Sequence, residues 1–357
     1  MIADDLLREE LAGLAPYAIP HPPNIRAKLD ANESPFALPA PVAAALGAHL
    51  AEVAIHRYPD GHARALRELV AREHHVAPEQ LVFGNGSDEL ITLLMATFAR
   101  PRRGATRAAV AYPWPSFVVY RIGALAHGVT PVEIPLAADF TLDETRVHEA
   151  IARERPNLVY FALPNNPTGT LWPRAAIVEV IARHPDVLVV ADEAYFAYCG
   201  ETYLDLLAAH ENLVIMRTLS KVGLAGLRVG YTVTHPRVAA AMEKIRAPYN
   251  VGSLNQATAA FLLAHHRELL DDAARAVIAE RERVVAALGV MPALEVFPTR
   301  ANLVMIRARD ATALWGRLAE RGVLVRNFDR PGPLAGCLRV TIGTREENDL
   351  LLAALAR

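Results

Sequence analysis

The chain has 357 residues, of which 52% are apolar and 21% are charged, the balance of a soluble globular protein with a large core. Its formal net charge of −2 provides no basic surface, which argues against nucleic acid and anionic membrane as partners. Two cysteines cannot build a disulfide framework, and no apolar run reaches the roughly 18 residues of a membrane span. We therefore expect a cytoplasmic protein, since the acidic start MIADDLLREE also differs from a signal peptide.

The first fifty residues are rich in proline and lack long periodic elements. We expect this segment, which includes LDANESPFALP at 29–39, to wrap over another part of the molecule rather than to form a domain. A turn signal, RYPDG at 57–61, precedes an amphipathic pattern that predicts a helix over 63–73. We interpret the next two residues, His74 and His75, as surface residues rather than metal ligands.

From Leu81 onward, apolar runs of strand length alternate with helical patterns. The runs lie at 81–83, 108–112, 132–134, 158–163, 187–192 and 213–216, and the helical patterns at 89–99, 115–126, 145–154 and 173–184. Unbroken apolar strands that alternate with helices indicate a parallel sheet covered on both faces. Ligands of such sheets bind at the carboxyl ends of the strands.

Polar residues stand where these apolar runs end. PNNPTG at 164–169 follows one run, Asp192 and Glu193 follow a second, and Ser220 with Lys221 follows a third. A carboxylate at the end of VLVVA would be costly without a partner, although Asp192 could also cap a helix or a turn. In GNGSDE at 84–89 we predict Ser87 as the N-cap of a helix whose first N–H groups can bind a phosphate.

Lys221 stands out because 34 of the 37 basic residues are arginine. Lysine can lose its proton and arginine cannot, so a lysine between a strand and a glycine-rich turn indicates a need for a neutral amine. The alternative is an ordinary solvated lysine. The hydroxyls of Thr218 and Ser220 and the guanidinium of Arg228 suit a phosphate monoester. A lysine beside a phosphate site predicts a Schiff base with pyridoxal phosphate.

After His235 the pattern changes to that of an α+β unit. A long helical pattern covers 255–288, and two further helices are predicted at 311–321 and 346–355. Short strands are predicted at 294–297, 302–306, 323–326 and 338–342. We therefore place a domain boundary near 245–255.

Four motifs, PNNPTG, ADEAY, TLSKVGLAGLRVGY and LRVTIGT, occur in this order. In order and spacing the chain from about Tyr17 onward resembles the fold-type I aminotransferases that use pyridoxal phosphate. The resemblance implies an α/β fold with a mostly parallel seven-stranded sheet flanked by helices, plus a small α+β domain. It implies three parts: an N-terminal segment, 1–50, that packs on the small domain and on a dimer partner, a large cofactor domain, 51–250, and a small domain, 251–357.

The resemblance also implies roles for single residues around the cofactor ring. Lys221 would hold pyridoxal 5'-phosphate as a Schiff base and later move a proton. Asp192 would pair with the pyridine nitrogen, and Asn166 and Tyr195 would hydrogen-bond the ring oxygen. Phe117 occupies the position over the ring where relatives often carry a tyrosine, so it can stack but cannot hydrogen-bond.

The phosphate, by the same resemblance, would be bound by Ser87, Asp88, Thr218, Ser220 and Arg228. The loop from Lys221 to Arg228 is one residue shorter than in many relatives. Tyr58 would reach the phosphate of a neighbouring subunit, which implies a homodimer with shared active sites.

Within these enzymes, LDANESP, RYPDG and the close of the chain are most similar to histidinol-phosphate aminotransferases. That similarity implies transamination of L-histidinol phosphate with 2-oxoglutarate, giving imidazole-acetol phosphate and L-glutamate in histidine biosynthesis. Tyr17, Asn32, Arg326 and Arg339 would bind the substrates. Two alternatives on the same scaffold stay open, an aromatic amino-acid aminotransferase and an enzyme like threonine-phosphate decarboxylase.

Overall fold

The computed structural model describes residues 5–16 and 22–356. Its strands are β1 (Ala27–Leu29), β2 (Leu81–Asn85), β3 (Ala109–Trp114), β4 (Thr130–Pro135), β5 (Leu158–Ala162), β6 (Leu188–Asp192), β7 (Leu213–Thr218), β8 (Val229–Thr234), β9 (Leu294–Val296), β10 (Leu303–Ala308), β11 (Val323–Asn327) and β12 (Cys337–Thr341).

The α-helices are α1 (Glu9–Ala12), α2 (Ala40–Ala51), α3 (Arg64–His74), α4 (Gly86–Phe98), α5 (Val118–Ala126), α6 (Glu144–Glu154), α7 (Arg174–Arg183), α8 (Phe196–Cys199), α9 (Pro236–Glu243), α10 (Ser253–His265), α11 (Arg267–Gly289), α12 (Ala311–Glu320) and α13 (Arg345–Leu355). Among the described residues, none of these helices has the length and apolar character needed to cross a membrane.

Seven strands form one mostly parallel sheet in the order β2-β8-β7-β6-β5-β3-β4. Strands β3 to β7 are all parallel to one another, whereas β8 runs antiparallel to its neighbours β2 and β7. The short link between β7 and β8 contains no crossover helix, so the chain returns in the opposite direction. Strands β5 and β7 are buried along their whole length, which explains their unbroken apolar runs. The predicted sheet is confirmed.

A second sheet has five strands in the order β1-β11-β12-β10-β9. Its four later strands are the short strands predicted after residue 290. The fifth strand, β1, comes from the proline-rich N-terminal segment and pairs in parallel with β11, where Ala27 lies level with Val323. The expectation that the first fifty residues contain no long periodic element is wrong for α2, which begins directly after Pro39 and has twelve residues.

The long helix α11 joins the two sheets. The predicted helical pattern over 255–288 is divided at His266, where α10 ends and the 23-residue α11 begins. Near its start, Leu270 packs into the core beneath the large sheet. Further along, Val277, Val284 and Leu288 pack into the core beneath the small sheet. One helix therefore contributes side chains to both cores.

Candidate active site

A cavity lies at the carboxyl ends of β5, β6 and β7. The parallel register brings Ala162 level with Asp192, and Asp192 level with Met216, so that the polar residues after these strands meet at one edge of the sheet. The cavity is lined by Ser87, Asp88, Phe117, Ala162, Asn166, Asp192, Ala194, Tyr195, Thr218, Ser220, Lys221 and Arg228. Every residue expected to contact the cofactor, apart from Tyr58, is in this set.

Lys221 ends a 3₁₀ turn, Leu219–Lys221, that follows β7 directly. The turn is held by its cap, since Thr218 Oγ1 accepts from the backbone N–H of Ser220 at 3.1 Å. The hydroxyl of Tyr198 donates to the backbone carbonyl of Lys221. Burial, and then the nearby charge of Arg339, lower the pKa of the Lys221 amine to about 8. A substantial fraction of the amine is therefore neutral near physiological pH.

Asp192 ends β6 with its side chain buried in the cavity wall. Its Oδ2 accepts a 2.6 Å hydrogen bond from the Tyr120 hydroxyl, and its Oδ1 accepts one from the Ala194 N–H at 3.1 Å. Burial raises the pKa of Asp192 to about 6, and these two hydrogen bonds oppose the rise. Tyr120 was not singled out in the sequence, because a tyrosine in an apolar helix has the pattern of an ordinary core residue.

Asn166 and Tyr195 line the cavity between Asp192 and the small sheet. Asn166 Oδ1 accepts a 2.6 Å hydrogen bond from Arg339, and the Tyr195 hydroxyl accepts one from Asn32 Nδ2 at 2.9 Å. Burial raises the pKa of Tyr195 to about 12, so its hydroxyl stays protonated at neutral pH and can donate. Asn166 is thus anchored from β12 of the small sheet, and Tyr195 from the segment that follows β1.

The opposite end of the cavity collects donors for an anion. Helix α4 begins there at Gly86, and no side chain of its N-cap residue, Asn85, bonds the first turn. The prediction that Ser87 is the N-cap is wrong, because the helix starts one residue before it. The Arg228 guanidinium bonds Ser220 Oγ at 3.2 Å and Asp88 at 2.9 Å. Backbone N–H groups, hydroxyls and one guanidinium form the donor set of a phosphate site.

Two glycines let the chain come close enough to shape this anion site. A Cβ on Gly230 in β8 would lie 2.7 Å from the backbone of Gly86 and Ser87, and a Cβ on Gly86 would lie 2.5 Å from the Arg228 guanidinium. Gly86 also has φ +77°, which other residues rarely adopt. A phosphate cradle at one end, a carboxylate for a ring nitrogen and an amine between them fit pyridoxal phosphate.

Arg339 and Arg326 lie opposite each other on the antiparallel strands β12 and β11. Arg339 is buried, and besides Asn166 it donates to the backbone carbonyl of Asp30 at 2.7 Å. Arg326, on β11, is half-buried. Two guanidinium groups at facing positions on a sheet repel each other, so the pair suits an anion bound between them.

Asn32, also expected at the substrate, is occupied by contacts within the protein. Asn32 is buried, and both ends of its side chain are in use: Nδ2 donates to Tyr195, and Oδ1 accepts from Thr341 Oγ1 at 3.1 Å. The structure therefore places Asn32 behind Tyr195 rather than open to a substrate. Tyr17 lies outside the described residues.

Tyr58 lies away from the cavity of its own chain. Its side chain is 81% exposed and stacks on Tyr249, with ring centroids 4.6 Å apart. Three further apolar residues, Ile55, Ile245 and Leu254, are exposed as well. We call these five residues the exposed apolar set.

A buried ion pair supports β7 behind the cavity. Arg217 donates to Glu193 at 2.7 Å, and both side chains are almost inaccessible to solvent.

His74 lies beside this ion pair. Its Nε2 contacts the Tyr231 hydroxyl at 2.7 Å, and burial, followed by the charge of Arg217, lowers the pKa of His74 to about 3. The expectation that His74 is a surface residue is therefore wrong, whereas His75 is exposed. A charge inside the apolar run LVIMRT was the available sequence signal for this pair.

Residues 25–355 match the family model for aminotransferase class I and II. The chain belongs to this family. The fold class predicted from the sequence, that of the fold-type I pyridoxal phosphate enzymes, is thereby confirmed together with the predicted family.

Similar proteins of this family extend over nearly the whole chain. Histidinol-phosphate aminotransferase 1 from Ralstonia nicotianae is 43% identical, covering 99% of this chain and 95% of that protein. A histidinol-phosphate aminotransferase from Methylibium petroleiphilum is 44% identical, covering 98% of this chain and 93% of that protein. The crystal structure of histidinol-phosphate aminotransferase from Sinorhizobium meliloti, in complex with pyridoxal-5'-phosphate, superposes with a TM-score of 0.81 at 29% identity, covering 93% of this chain and 90% of that one.

Proposed function

We propose that this class I and II aminotransferase uses pyridoxal 5'-phosphate to transfer the amino group of L-histidinol phosphate to 2-oxoglutarate. The products are imidazole-acetol phosphate and L-glutamate, and the reaction belongs to histidine biosynthesis. The observation that carries the proposal is that the Lys221 amine and the Asp192 carboxylate line one cavity, and that the Arg339 guanidinium bonds Asn166 of the same cavity. The similarity to proteins named histidinol-phosphate aminotransferase at 43% and 44% identity supports this substrate.

The cofactor is held at three points. Ser87 and Asp88 offer N–H groups of the first turn of α4, and the hydroxyls of Thr218 and Ser220 with the charge of Arg228 complete a site for its phosphate. Asp192 would accept the hydrogen bond of the protonated pyridine nitrogen. Asn166 and Tyr195 would bind the ring oxygen, and Phe117 would pack against the ring.

When bound, pyridoxal phosphate supplies a ring that accepts electrons from the substrate Cα. Lys221 would hold the cofactor in the absence of substrate. Its amine would also move the proton between the substrate Cα and C4′, a role that its lowered pKa suits because the neutral amine is the base. Asp192 would keep the ring nitrogen protonated, since its buried carboxylate would balance the positive charge.

Arg326 and Arg339 bind the anionic ends of the two substrates. Histidinol phosphate carries a phosphate and no carboxylate, whereas glutamate carries two carboxylates. Planar guanidinium groups bind either anion through paired hydrogen bonds. We assign the α-carboxylate of glutamate to Arg339 and the phosphate of histidinol phosphate to both arginines together with Tyr17. Asn32 would act indirectly, by holding Tyr195.

The working unit of the proposal is a homodimer with shared active sites. The exposed apolar set offers a surface for a second copy of the chain, since aromatic residues exposed together are typical of interfaces. Tyr58 would then reach the cofactor phosphate of the neighbouring subunit. We place the enzyme in the cytoplasm, where thiols stay reduced, because Cys199 and Cys337 are both unpaired and buried.

The test is single-turnover kinetics with each amine separately, followed by the absorbance of the bound cofactor. We expect wild-type enzyme to react faster with histidinol phosphate than with phenylalanine. Arg339→Lys should slow histidinol phosphate and glutamate alike, and Arg326→Lys should slow chiefly histidinol phosphate. Losing one charge-assisted hydrogen bond of about 1.5–3 kcal/mol lowers catalytic efficiency about ten- to hundredfold.

Two results would contradict the proposal. A preference for phenylalanine, with Arg326→Lys leaving both amines unchanged, would favour the aromatic aminotransferase. Release of carbon dioxide from a phosphorylated amino acid, without transfer of its amino group, would favour the decarboxylase.

A further inference from the structure

Tyr120 lies behind the cavity wall, where it contacts Asp192 but neither the solvent nor the cavity. It lies on α5, is fully buried, and its hydroxyl donates to Asp192 Oδ2 at 2.6 Å. We propose that Tyr120 is the positioning residue of Asp192, holding its carboxylate ionised and aimed at the pyridine nitrogen of the bound cofactor. The inference rests on the proposed cofactor chemistry and adds a residue to it.

The geometry assigns one donor to each oxygen of the carboxylate. Oδ2 accepts from Tyr120, and Oδ1 accepts from the backbone N–H of Ala194 at 3.1 Å. A distance of 2.6 Å is typical of a hydroxyl that donates to an ionised oxygen. With both oxygens held, the carboxylate plane cannot rotate, and each oxygen retains a lone pair for the ring nitrogen.

The surroundings of Asp192 make this donor necessary. The groups that face it from the packed elements are Asp88 on α4, Tyr120 on α5, Tyr160 on β5, Glu193 after β6 and Tyr195 before α8. Burial and the two carboxyl groups favour the protonated acid, and the hydrogen bond from Tyr120 is the first influence that opposes them. Without that bond the pKa of Asp192 would rise further, and the protonated acid would be more populated at neutral pH.

Ring contacts keep the Tyr120 phenol in place. It stacks on Tyr160 with centroids 4.7 Å apart and meets Phe117 edge to face at 5.8 Å. In the proposed site Phe117 packs on the cofactor ring and Asp192 pairs with the ring nitrogen. Tyr120 contacts both of these residues. Tyr120 thereby ties the orientation of Phe117 to that of Asp192.

The experiment compares Tyr120→Phe with Tyr160→Phe. Both remove one buried phenol hydroxyl, but the Tyr160 hydroxyl donates to the Ile91 carbonyl at 3.1 Å and not to Asp192. Apoprotein is titrated with pyridoxal phosphate, and with an analogue that has carbon in place of the ring nitrogen. We expect Tyr120→Phe to weaken binding of pyridoxal phosphate about tenfold, the effect of one hydrogen bond to a charged group. The affinity of Tyr120→Phe for the carbon analogue should change less than about twofold. The affinities of Tyr160→Phe for both ligands should also change less than about twofold.

A purely structural role gives a different pattern. The inference would be overturned if Tyr120→Phe weakened the binding of pyridoxal phosphate and of the carbon analogue equally. It would also be overturned if Tyr160→Phe lost as much affinity for pyridoxal phosphate as Tyr120→Phe, or if Tyr120→Phe bound pyridoxal phosphate as tightly as wild type. If Tyr120→Phe does not fold, the double variant with Asp192→Asn should fold, because a neutral amide does not need the phenol donor; failure of the double variant would also overturn it. Failure of wild type to bind pyridoxal phosphate would instead refute the proposed function.

Discussion

Lys221 lies where burial and the charge of Arg339 both disfavour its protonated form. We predict that Arg339→Gln raises the pKa of Lys221 above its wild-type value of about 8, because the charge of Arg339 is removed while burial and the charge of Arg228 remain. The neutral amine is the nucleophile, so attachment of pyridoxal phosphate should speed up with rising pH through that pKa. In Arg339→Gln the midpoint should move to higher pH, and attachment at pH 7 should be slower.

The measurement is the rate of attachment to apoprotein from about pH 6 to pH 10, followed by absorbance. Arg321→Gln is the matched control, since Arg321 binds the carbonyl of Ala354 in α13, away from the cavity. The same midpoint in Arg339→Gln and Arg321→Gln would show that Arg339 does not act on the amine.

The residues that carry chemistry of their own could be recognised in the sequence. Lys221 differs from the surrounding arginines, and Asp192 ends an apolar strand where a charge is costly. Tyr120 could not be recognised, because its partner is 72 residues away and the neighbouring positions are an ordinary apolar helix. Asn32 was predicted to bind substrate, but its side chain bonds Tyr195, a residue 163 positions away in the chain. Such a contact depends on the tertiary fold and is not visible in the local sequence.

At the scale of elements, the close approach of β8 to the start of α4 shapes the phosphate site. We predict that Gly230→Ala weakens cofactor binding and lowers stability by about 1–3 kcal/mol, because its Cβ would press on the backbone of Gly86 and Ser87 and displace the first turn of α4. Melting temperature and cofactor affinity measure the two effects.

Gly226 provides the control for this substitution. It lies in the link between β7 and β8, four residues before Gly230, and a Cβ there would meet nothing within 4 Å. Gly226→Ala should leave the affinity for pyridoxal phosphate unchanged. Equal behaviour of the two variants would mean that the approach of β8 does not shape the site.

Elements with their own periodicity were predicted well, and elements defined by distant partners were not. The alternating strands and helices from β2 to β8 follow from local pattern, because central strands such as β5 and β7 are buried on both faces. Strand β1 has only three residues and exists through its pairing with β11. The start of α4 at Gly86 rather than near Ser87 depends on a backbone conformation with positive φ, which the letters GNGSDE do not reveal.

At the scale of the whole molecule, the proposed dimer makes a prediction about mixed subunits. Lys221→Ala and Tyr58→Phe should each be inactive or strongly impaired as homodimers. Hybrids should regain part of the activity, because one of their two sites combines an intact Lys221 with an intact Tyr58 from the other subunit. Activity is measured after the two variants are unfolded and refolded together.

Each variant refolded alone serves as the control, and separable tags show that hybrids form. Hybrids as inactive as their parents would contradict a shared site. Full activity of Tyr58→Phe alone would also contradict the role of Tyr58, whose exposed ring would then serve contact and not catalysis.

Helix α11 determines how the molecule loses its structure. Leu270 belongs to the core of the large sheet, and Val277, Val284 and Leu288 belong to the core of the small one. Between them the buried Arg281 donates to the carbonyls of Tyr198 and Ala301. Melting either core would break this helix and expose apolar surface in the other, so we expect the two cores to unfold in one cooperative transition. A destabilising change in either lobe therefore lowers the stability of the whole enzyme.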